Sequence, residues 1–297
     1  MLGQAFAPAK VNLFLHVGAP AADGYHPLCS LMVFADVGDR VSIAPAEALD
    51  FALTGPFGRE LSAQAGDNLV QRAAQALLKQ VRGPRAPVLL ALDKQLPIAA
   101  GLGGGSSDAG AALRLLRTTW APELSDENLQ AIAGALGADG AACLWGAPVM
   151  AEGRGEVLSQ PPALPVIPAV LVNPRALAPT AQVYGRYDAL GQFGDVVPPA
   201  APAAFETVEE LAGWLSLQRN DLEAAAIELT PEIGDVLAAL SGERETLLAR
   251  MSGSGATCFA ICGSDIEAEQ LAEGVERLRP DWWVSRCRLG GPWPDPA

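Results

Sequence analysis

Residues 96–113 read LPIAAGLGGGSSDAGAAL, with four glycines and two serines inside the seven residues Gly101–Ser107. A backbone stripped of side chains can wrap a ligand closely and turn its N–H groups inward. An Ala- and Leu-rich helical pattern follows, so the loop opens a helix, where unpaired N–H groups and the helix dipole favour an anion. Serine hydroxyls add donors, or a ligand for a phosphate-bound Mg2+. A plain turn is the alternative for any glycine-rich loop. The buried strand APVLLALDKQLP before it, ending near Lys94, and the strong helix after it make phosphate binding the expectation.

Known phosphate loops narrow the chemistry. A Walker loop needs a Lys after its glycines, and GLGGGSSD has none. A dinucleotide fingerprint needs a third Gly where Ser106 stands, inside a βαβ unit, and this helix leads to another helix. The HRD and DFG companions of a protein-kinase loop are absent.

The elements that must position this loop follow from periodicity. Residues 5–17, AFAPAKVNLFLHV, alternate from Lys10 onward, with Val11, Leu13, Leu15 and Val17 on one face and Lys10, Asn12, Phe14 and His16 on the other. A loop, GAPAADGYHP, leads to the strand LCSLMVFADV; residues 39–58 suggest short strands and turns. GDNLVQRAAQALLKQV predicts a helix with Asp67 as N-cap and Leu69, Val70, Ala73, Leu77 and Leu78 as its stripe. SDENLQAIAGALGADG predicts another, capped by Ser125 and ended by Gly137. The proline-rich stretch 161–168 places a boundary near residue 160. Beyond it come the strand AVLVNP, a Pro/Ala-rich loop over 191–204 expected to be mobile, and RNDLEAAAIEL. TPEIGDVLAAL follows with Thr230 as cap and Pro231 first in the helix. The chain closes with the loop MSGSGAT, strand CFAIC, helix 265–278, strand WWVSRC and a tail, GGPWPDPA, expected to be loose.

Composition bounds the rest. The chain has 297 residues, half of them hydrophobic, and a net charge of −14. That acidity disfavours a nucleic-acid partner. It leaves room for an anionic small molecule in a locally positive pocket. No apolar run reaches the roughly 18–20 residues of a membrane span and no secretory leader is evident, so a cytoplasmic protein is expected. The five scattered cysteines suit buried reduced thiols better than zinc.

Pro97 through Ser107 matches P-x-x-x-G-L-G-[GS]-[GS]-S-[SA], the central motif of the GHMP small-molecule kinases. APAKVNLFLHV at 7–17 and MSGSGATCFAI at 251–261 are similar to that family's other two motifs, in the right order. ADGYH, NLVQRAA, LGAD, AEGRGE and RNDLE narrow the resemblance to the branch that phosphorylates a cytidylated polyol diphosphate on the non-mevalonate isoprenoid route. The resemblance implies an α+β fold in two domains. Residues 1–160 would form an ATP-binding domain like domain 2 of ribosomal protein S5, and 161–297 a ferredoxin-like domain, with the active site between them.

It also implies roles. Lys10 and Asp139 would be catalytic, with Asp139 as general base and the cation orienting the substrate oxygen. Read alone, an Asp before Gly favours a solvent-facing turn residue and Lys10 a surface lysine; the family resemblance reverses the reading of Asp139. Pro97, Ile98, Ala99, Ala100, Gly101, Leu102, Gly103, Gly104, Gly105, Ser106 and Ser107 would cradle the nucleotide, with Asn68 and Lys94 nearby unless these merely end a helix and a strand. Asn12, Tyr25, His26, Thr180 and Tyr184 would bind substrate, Tyr184 stacking on the cytosine and the His26 ring reading its edge. Ser252–Gly255 would form a second cradle, and His16 would be structural. ATP and Mg2+ are the implied cofactors; the choice between Ser106 and Ser107 for the metal stays open. A small-molecule partner and a monomer or weak homodimer are expected. The chain departs from the family in having Gly140-Ala141 after Asp139, Pro27 after His26, and no Arg in the loop before Asp23. A homoserine or mevalonate kinase and a non-catalytic nucleotide sensor are the rival readings.

Overall fold

The computed structural model describes residues 2–63, 68–81 and 85–295. Its backbone is one ten-stranded sheet. Strands β1 (Gly3–Val17) and β2 (Leu28–Pro45) pair antiparallel from Gly3↔Ile43 to Val17↔Leu28. After β3 (Asp50–Thr54), helices α1 (Gly58–Ala63) and α2 (Leu69–Leu78) lead to β4 (Val88–Asp93), which lies between β2 and a parallel β3. Helices α3 (Gly104–Trp120), α4 (Asp126–Leu136) and α5 (Gly140–Trp145) come next. The hairpin β5 (Val149–Gly153) and β6 (Val157–Ser159) attaches to β2 through β5.

The rest comprises β7 (Ile167–Asn173), α6 (Thr180–Leu190), α7 (Val208–Ser216), α8 (Glu223–Leu229) and α9 (Glu232–Ser241). It ends with β8 (Leu248–Met251), β9 (Cys258–Ile261), α10 (Asp265–Leu278) and β10 (Trp283–Gly290). Strand β10 joins the two halves. It runs along β7 from Trp283↔Asn173 to Leu289↔Ile167, then meets β2 at Leu289↔Ala35 and Gly290↔Phe34.

Helix α3 is central because its residues are small. Ser107–Leu113 are buried without interruption, and a Cβ on Gly110 would come within 2.9 Å of the Cys143 carbonyl of α5. Gly140 lets α5 approach α4; a Cβ there would lie 2.0 Å from the Ala133 carbonyl. That close approach accounts for the glycine after Asp139.

Most expected elements are present, with instructive differences. Strand β1 has register shifts at Pro8/Lys10 and Asn12/Phe14. The second moves Phe14 into the same buried cluster as Val11 and Leu13, so the expected polar face ends at Asn12. Of the short strands and turns expected over 39–58, β3 is one, while residues 39–45 continue the long strand β2. Asp67 lies outside the described residues; Asn68 caps α2, its Oδ1 accepting from Val70 N at 2.8 Å. Ser125 caps α4 as expected. Thr230 does not cap α9: its hydroxyl donates to the Leu177 carbonyl, and Pro231 is the capping residue.

The segment 191–204 is tied down by hydrogen bonds from the Trp214 indole to Ala200 O and from Ala163 N to Ala203 O. The tail is also anchored. The Trp293 indole donates to Phe34 O, and Asp295 accepts from Phe6 N. All five cysteines are buried free thiols.

Candidate active site

A cavity of about 1590 Å³ runs between the glycine loop of 97–105 and helix α6. Hydrogen bonds stitch its floor together from three distant segments. Lys10 N donates to Leu102 O (2.8 Å) and Thr257 N to Ala100 O (3.1 Å). Ser252 Oγ donates to Gly101 O (3.0 Å) and accepts from Asn12 N (3.2 Å). Strand β1, the glycine loop and the loop 252–255 are therefore one unit. Gly101 (φ +74°) and Gly103 (φ +60°) occupy the left-handed region, and a Cβ on Gly101 would lie 2.4 Å from Ser252 O.

Gly103 caps α3 without a side chain, and the first helical bond is Ser107 N to Gly103 O. The N–H groups of Gly104, Gly105 and Ser106 thus lack intrahelical acceptors, and all three residues line the cavity. The helix dipole adds to an anion-binding field here.

Lys10 reaches the same point from β1. Its buried Nζ lies 3.3 Å from Asp139 Oδ2 and donates to Asn12 Oδ1 at 2.5 Å. Asn12 is held in turn by the Ser30 hydroxyl (2.7 Å), which donates to Phe14 O (2.6 Å). One ammonium donor is thus fixed on Asn12, and the ion pair with Asp139 holds the charge at the cavity. Asp139 precedes α5, and about a third of its side chain is open to the cavity. The neighbouring Cys143 thiol is pushed up to about 12 by burial, which makes it a poor nucleophile.

Lys94 is committed elsewhere. Its Nζ donates to Asp39 Oδ2 (2.6 Å) and Asp108 Oδ2 (2.7 Å), all three groups being buried. Asp39 Oδ1 accepts from Gln95 N and Leu96 N (2.6 and 2.9 Å). Burial opposes the charge on Lys94, but the two carboxylates outweigh it and its pKa stands above the ordinary value. Burial likewise raises Asp108 well above the carboxylate range. Lys94 therefore pins β4 and β2 to the first turn of α3 while also lining the cavity. Asp39 and Asp108 escaped the sequence reading, because nothing local marks a charge as buried. Asn68 lines the cavity while capping α2.

At the other end lie Tyr25, His26, Thr180 and Tyr184. His26 Nδ1 donates to Gly18 O at 2.8 Å, and Nε2 faces Asp188 Oδ1 at 3.1 Å. The His26 ring sits 5.1 Å from that of Tyr184. Both His26 nitrogens thus face protein groups. Tyr184, raised to about 12 by burial, stays a neutral phenol. Thr180 Oγ1 and Ser254 Oγ share a hydrogen bond of 2.9 Å. Asp188 was missed, although it lies one helical turn after Tyr184 on the same face. His16 is buried with both nitrogens unpartnered and lies outside the cavity lining.

Comparison with known proteins adds the family. The GHMP kinases N terminal domain matches residues 68–147 and the GHMP kinases C terminal domain matches 200–280. A 4-diphosphocytidyl-2-C-methyl-D-erythritol kinase of Caulobacter sp. (strain K31) is 64% identical over 98% of this chain and 99% of its own. This chain belongs to the GHMP kinase family. A crystal structure of a 4-(cytidine 5'-diphospho)-2C-methyl-D-erythritol kinase superimposes with TM-score 0.78 at 34% identity, covering 98% of this chain and 100% of that one. A homoserine kinase from Cytophaga hutchinsonii, 20% identical with TM-score 0.67 over 98% and 96%, shares the fold. The fold is the two-domain α+β fold of the GHMP kinases, and among the described residues no helix is long and apolar enough to cross a membrane.

Proposed function

We propose that this GHMP kinase transfers the γ-phosphoryl group of ATP to the 2-hydroxyl of 4-diphosphocytidyl-2-C-methyl-D-erythritol, the compound that the names of its relatives give as the kinase substrate. One observation supports this most directly. The Lys10–Asp139 pair, the helix start at Gly104 and an aromatic end with Tyr25 and Tyr184 all line one cavity. A phosphate donor, an alcohol and a nucleoside base can be served there together.

In this reading the glycine loop and the N-terminus of α3 hold the ATP phosphates. Asp139 accepts the hydroxyl proton as the oxygen attacks phosphorus. Lys10, held by Asn12, directs its remaining N–H at that oxygen and offsets its growing charge. The loop 252–255 approaches the substrate's own phosphates. Tyr25 and Tyr184 receive the cytosine, and Thr180 helps shape that end. Asn68 and Lys94 border the nucleotide side.

Mg2+ fits this donor set. Asp108 Oδ1 is a buried oxygen without a hydrogen-bond partner, and Asp108 and Ser106 both line the cavity. Among the described residues no cluster of three or more His, Cys, Asp or Glu is placed to hold a metal alone. That suits an ion carried mainly by phosphate oxygens with one or two protein ligands. Ser106 and Asp108 would hold it, and it would supply charge neutralisation at the transferring phosphoryl group. Ser107, fully buried and outside the lining, is the poorer candidate.

The same reading divides the chain near residue 160, between the two matched family segments. It places the enzyme in the cytoplasm, as a monomer or weak homodimer. Turnover of ATP with the cytidylated diphosphate, but not with homoserine or mevalonate, tests it. Phosphorylation of either rival alcohol with the cytidylated compound left untouched overturns it.

A further inference from the structure

Arg154 lies in the turn between β5 and β6. Its guanidinium carbon sits 4.4 Å from the centroid of the Tyr25 ring. The same guanidinium pairs with Asp23 Oδ2, and Asp23 Oδ1 accepts from Tyr25 N at 3.2 Å. The three residues therefore close a ring of contacts: cation over aromatic face, cation to carboxylate, carboxylate to the aromatic residue's own amide. The Tyr25 amide and then Arg154 hold the Asp23 carboxyl below its ordinary value.

The turn is fixed at its base. A Cβ on Gly155 would lie 2.9 Å from Ala138 O, next to Asp139. Arg154 N also donates to Glu156 Oε2 at 2.5 Å. Arg154 thus extends from a backbone packed against the Asp139 loop towards the distal aromatic end. Residues 18–27, GAPAADGYHP, contain no Lys or Arg. Tyr25 is 60% exposed, and Arg154 covers one face of its ring. A planar guanidinium on one face leaves the opposite face for a second flat ring.

We propose that Arg154 is a positioning residue for substrate selection: it backs Tyr25 so that the free face of that ring stacks on the pyrimidine. The proposal rests on the cytidylated-substrate reading above. Arg154 also lines the cavity, but in this proposal it acts through Tyr25, so it sets affinity for the cytidylated compound and leaves the ATP side and the phosphoryl step alone.

The test is steady-state kinetics on wild type, Arg154→Ala, Arg154→Lys, Tyr25→Ala and the Arg154→Ala/Tyr25→Ala double variant, with calorimetry of cytidine 5'-diphosphate as a turnover-free readout. Arg154→Ala should raise KM for the cytidylated substrate roughly 3- to 10-fold and weaken cytidine 5'-diphosphate similarly, from the loss of a cation–aromatic contact and of ring order. KM for ATP and kcat should change less than about 2-fold. Arg154→Lys should fall between, since an ammonium keeps the pairing with Asp23 but not the planar stack. In the Tyr25→Ala background, Arg154→Ala should add nothing further. Effects that multiply, or an equal rise in KM for ATP, would overturn the proposal. Failure of the wild type to turn over the cytidylated substrate would remove the functional reading and this inference together. Normal wild-type turnover with an unchanged Arg154→Ala would remove only the inference.

Discussion

The Lys10 ammonium, buried on β1, stands 3.3 Å from the carboxylate of Asp139 at the start of α5. The two share an approach to the glycine loop because Lys10 N donates to Leu102 O. Asp139→Asn keeps the shape and removes the proton acceptor. Turnover should fall about 10²- to 10⁴-fold with unfolding and ATP affinity close to wild type. Single-turnover rates within about threefold of wild type would exclude Asp139 as the base.

Gly101, at φ +74° and against Ser252 O, is the most crowded of the loop's left-handed glycines. Gly101→Ala should cost more than about 1 kcal/mol from backbone strain alone and should loosen the joint between the two glycine loops, weakening ATP and substrate binding together. Gly104 has no such φ, and its Cβ would lie 3.0 Å from Lys94 Nζ. Gly104→Ala should be the milder change, acting on the charged triad and the phosphate approach. Urea melts and nucleotide titrations of the two variants rank them; the reverse order would refute the assignment.

Lys94→Met strands the buried carboxyls of Asp39 and Asp108. Breaking such a pair costs about 3–5 kcal/mol. The sign with pH follows from Asp108, whose folded pKa is raised. On raising pH the unfolded chain releases its proton first, so this group costs stability above its unfolded pKa and costs nothing below it. The Lys94→Met deficit should therefore be largest near pH 7.5 and shrink as pH falls towards 5. A deficit independent of pH would show that the carboxyls do not carry it.

His16 has its pKa lowered from 6.5 to about 4, first by burial, then by Arg219. The unfolded chain takes up this proton at higher pH than the folded one. Stability supplied by the neutral ring is complete above about 6.5 and declines down to about 4, at no more than about 1.4 kcal/mol per pH unit. His16→Leu should flatten that part of the acid limb in chemical denaturation at pH 7, 5.5 and 4.5. An unchanged slope would mean that other groups set it.

Tyr184→Ala should raise KM for the cytidylated substrate about 5- to 150-fold through lost base stacking, with KM for ATP little changed. His26→Ala should also raise it, by freeing residues 18–27 from Gly18 O and Asp188. Since both ring nitrogens already have protein partners, the ratio between cytidine and uridine nucleotides should not move. A relaxed ratio in His26→Ala would show the ring reading the base after all.

Local pattern alone placed the glycine loop of 97–105, the helix behind it, the Ser125 cap and the strand carrying Lys10 and Asn12. Glycine density, caps and two-residue alternation act over a few residues and survive in the sequence whatever packs around them. Motif resemblance then paired Lys10 with Asp139. Tertiary structure decided what side chains do once buried. In sequence Lys94 was either a nucleotide-side residue or a plain strand terminus; only the fold brings Asp39 and Asp108 to it. The His26 ring is engaged because α6 delivers Asp188, and Phe14 leaves the polar face because a register shift turns β1. The tail and residues 191–204, rich in Pro, Gly and Ala, promised mobility on composition, yet Trp293, Asp295 and Trp214 fasten them to distant backbone. Long-range partners of this kind have no periodicity of their own. A charge or an aromatic ring reads the same in sequence whether it faces water or a partner two hundred residues away.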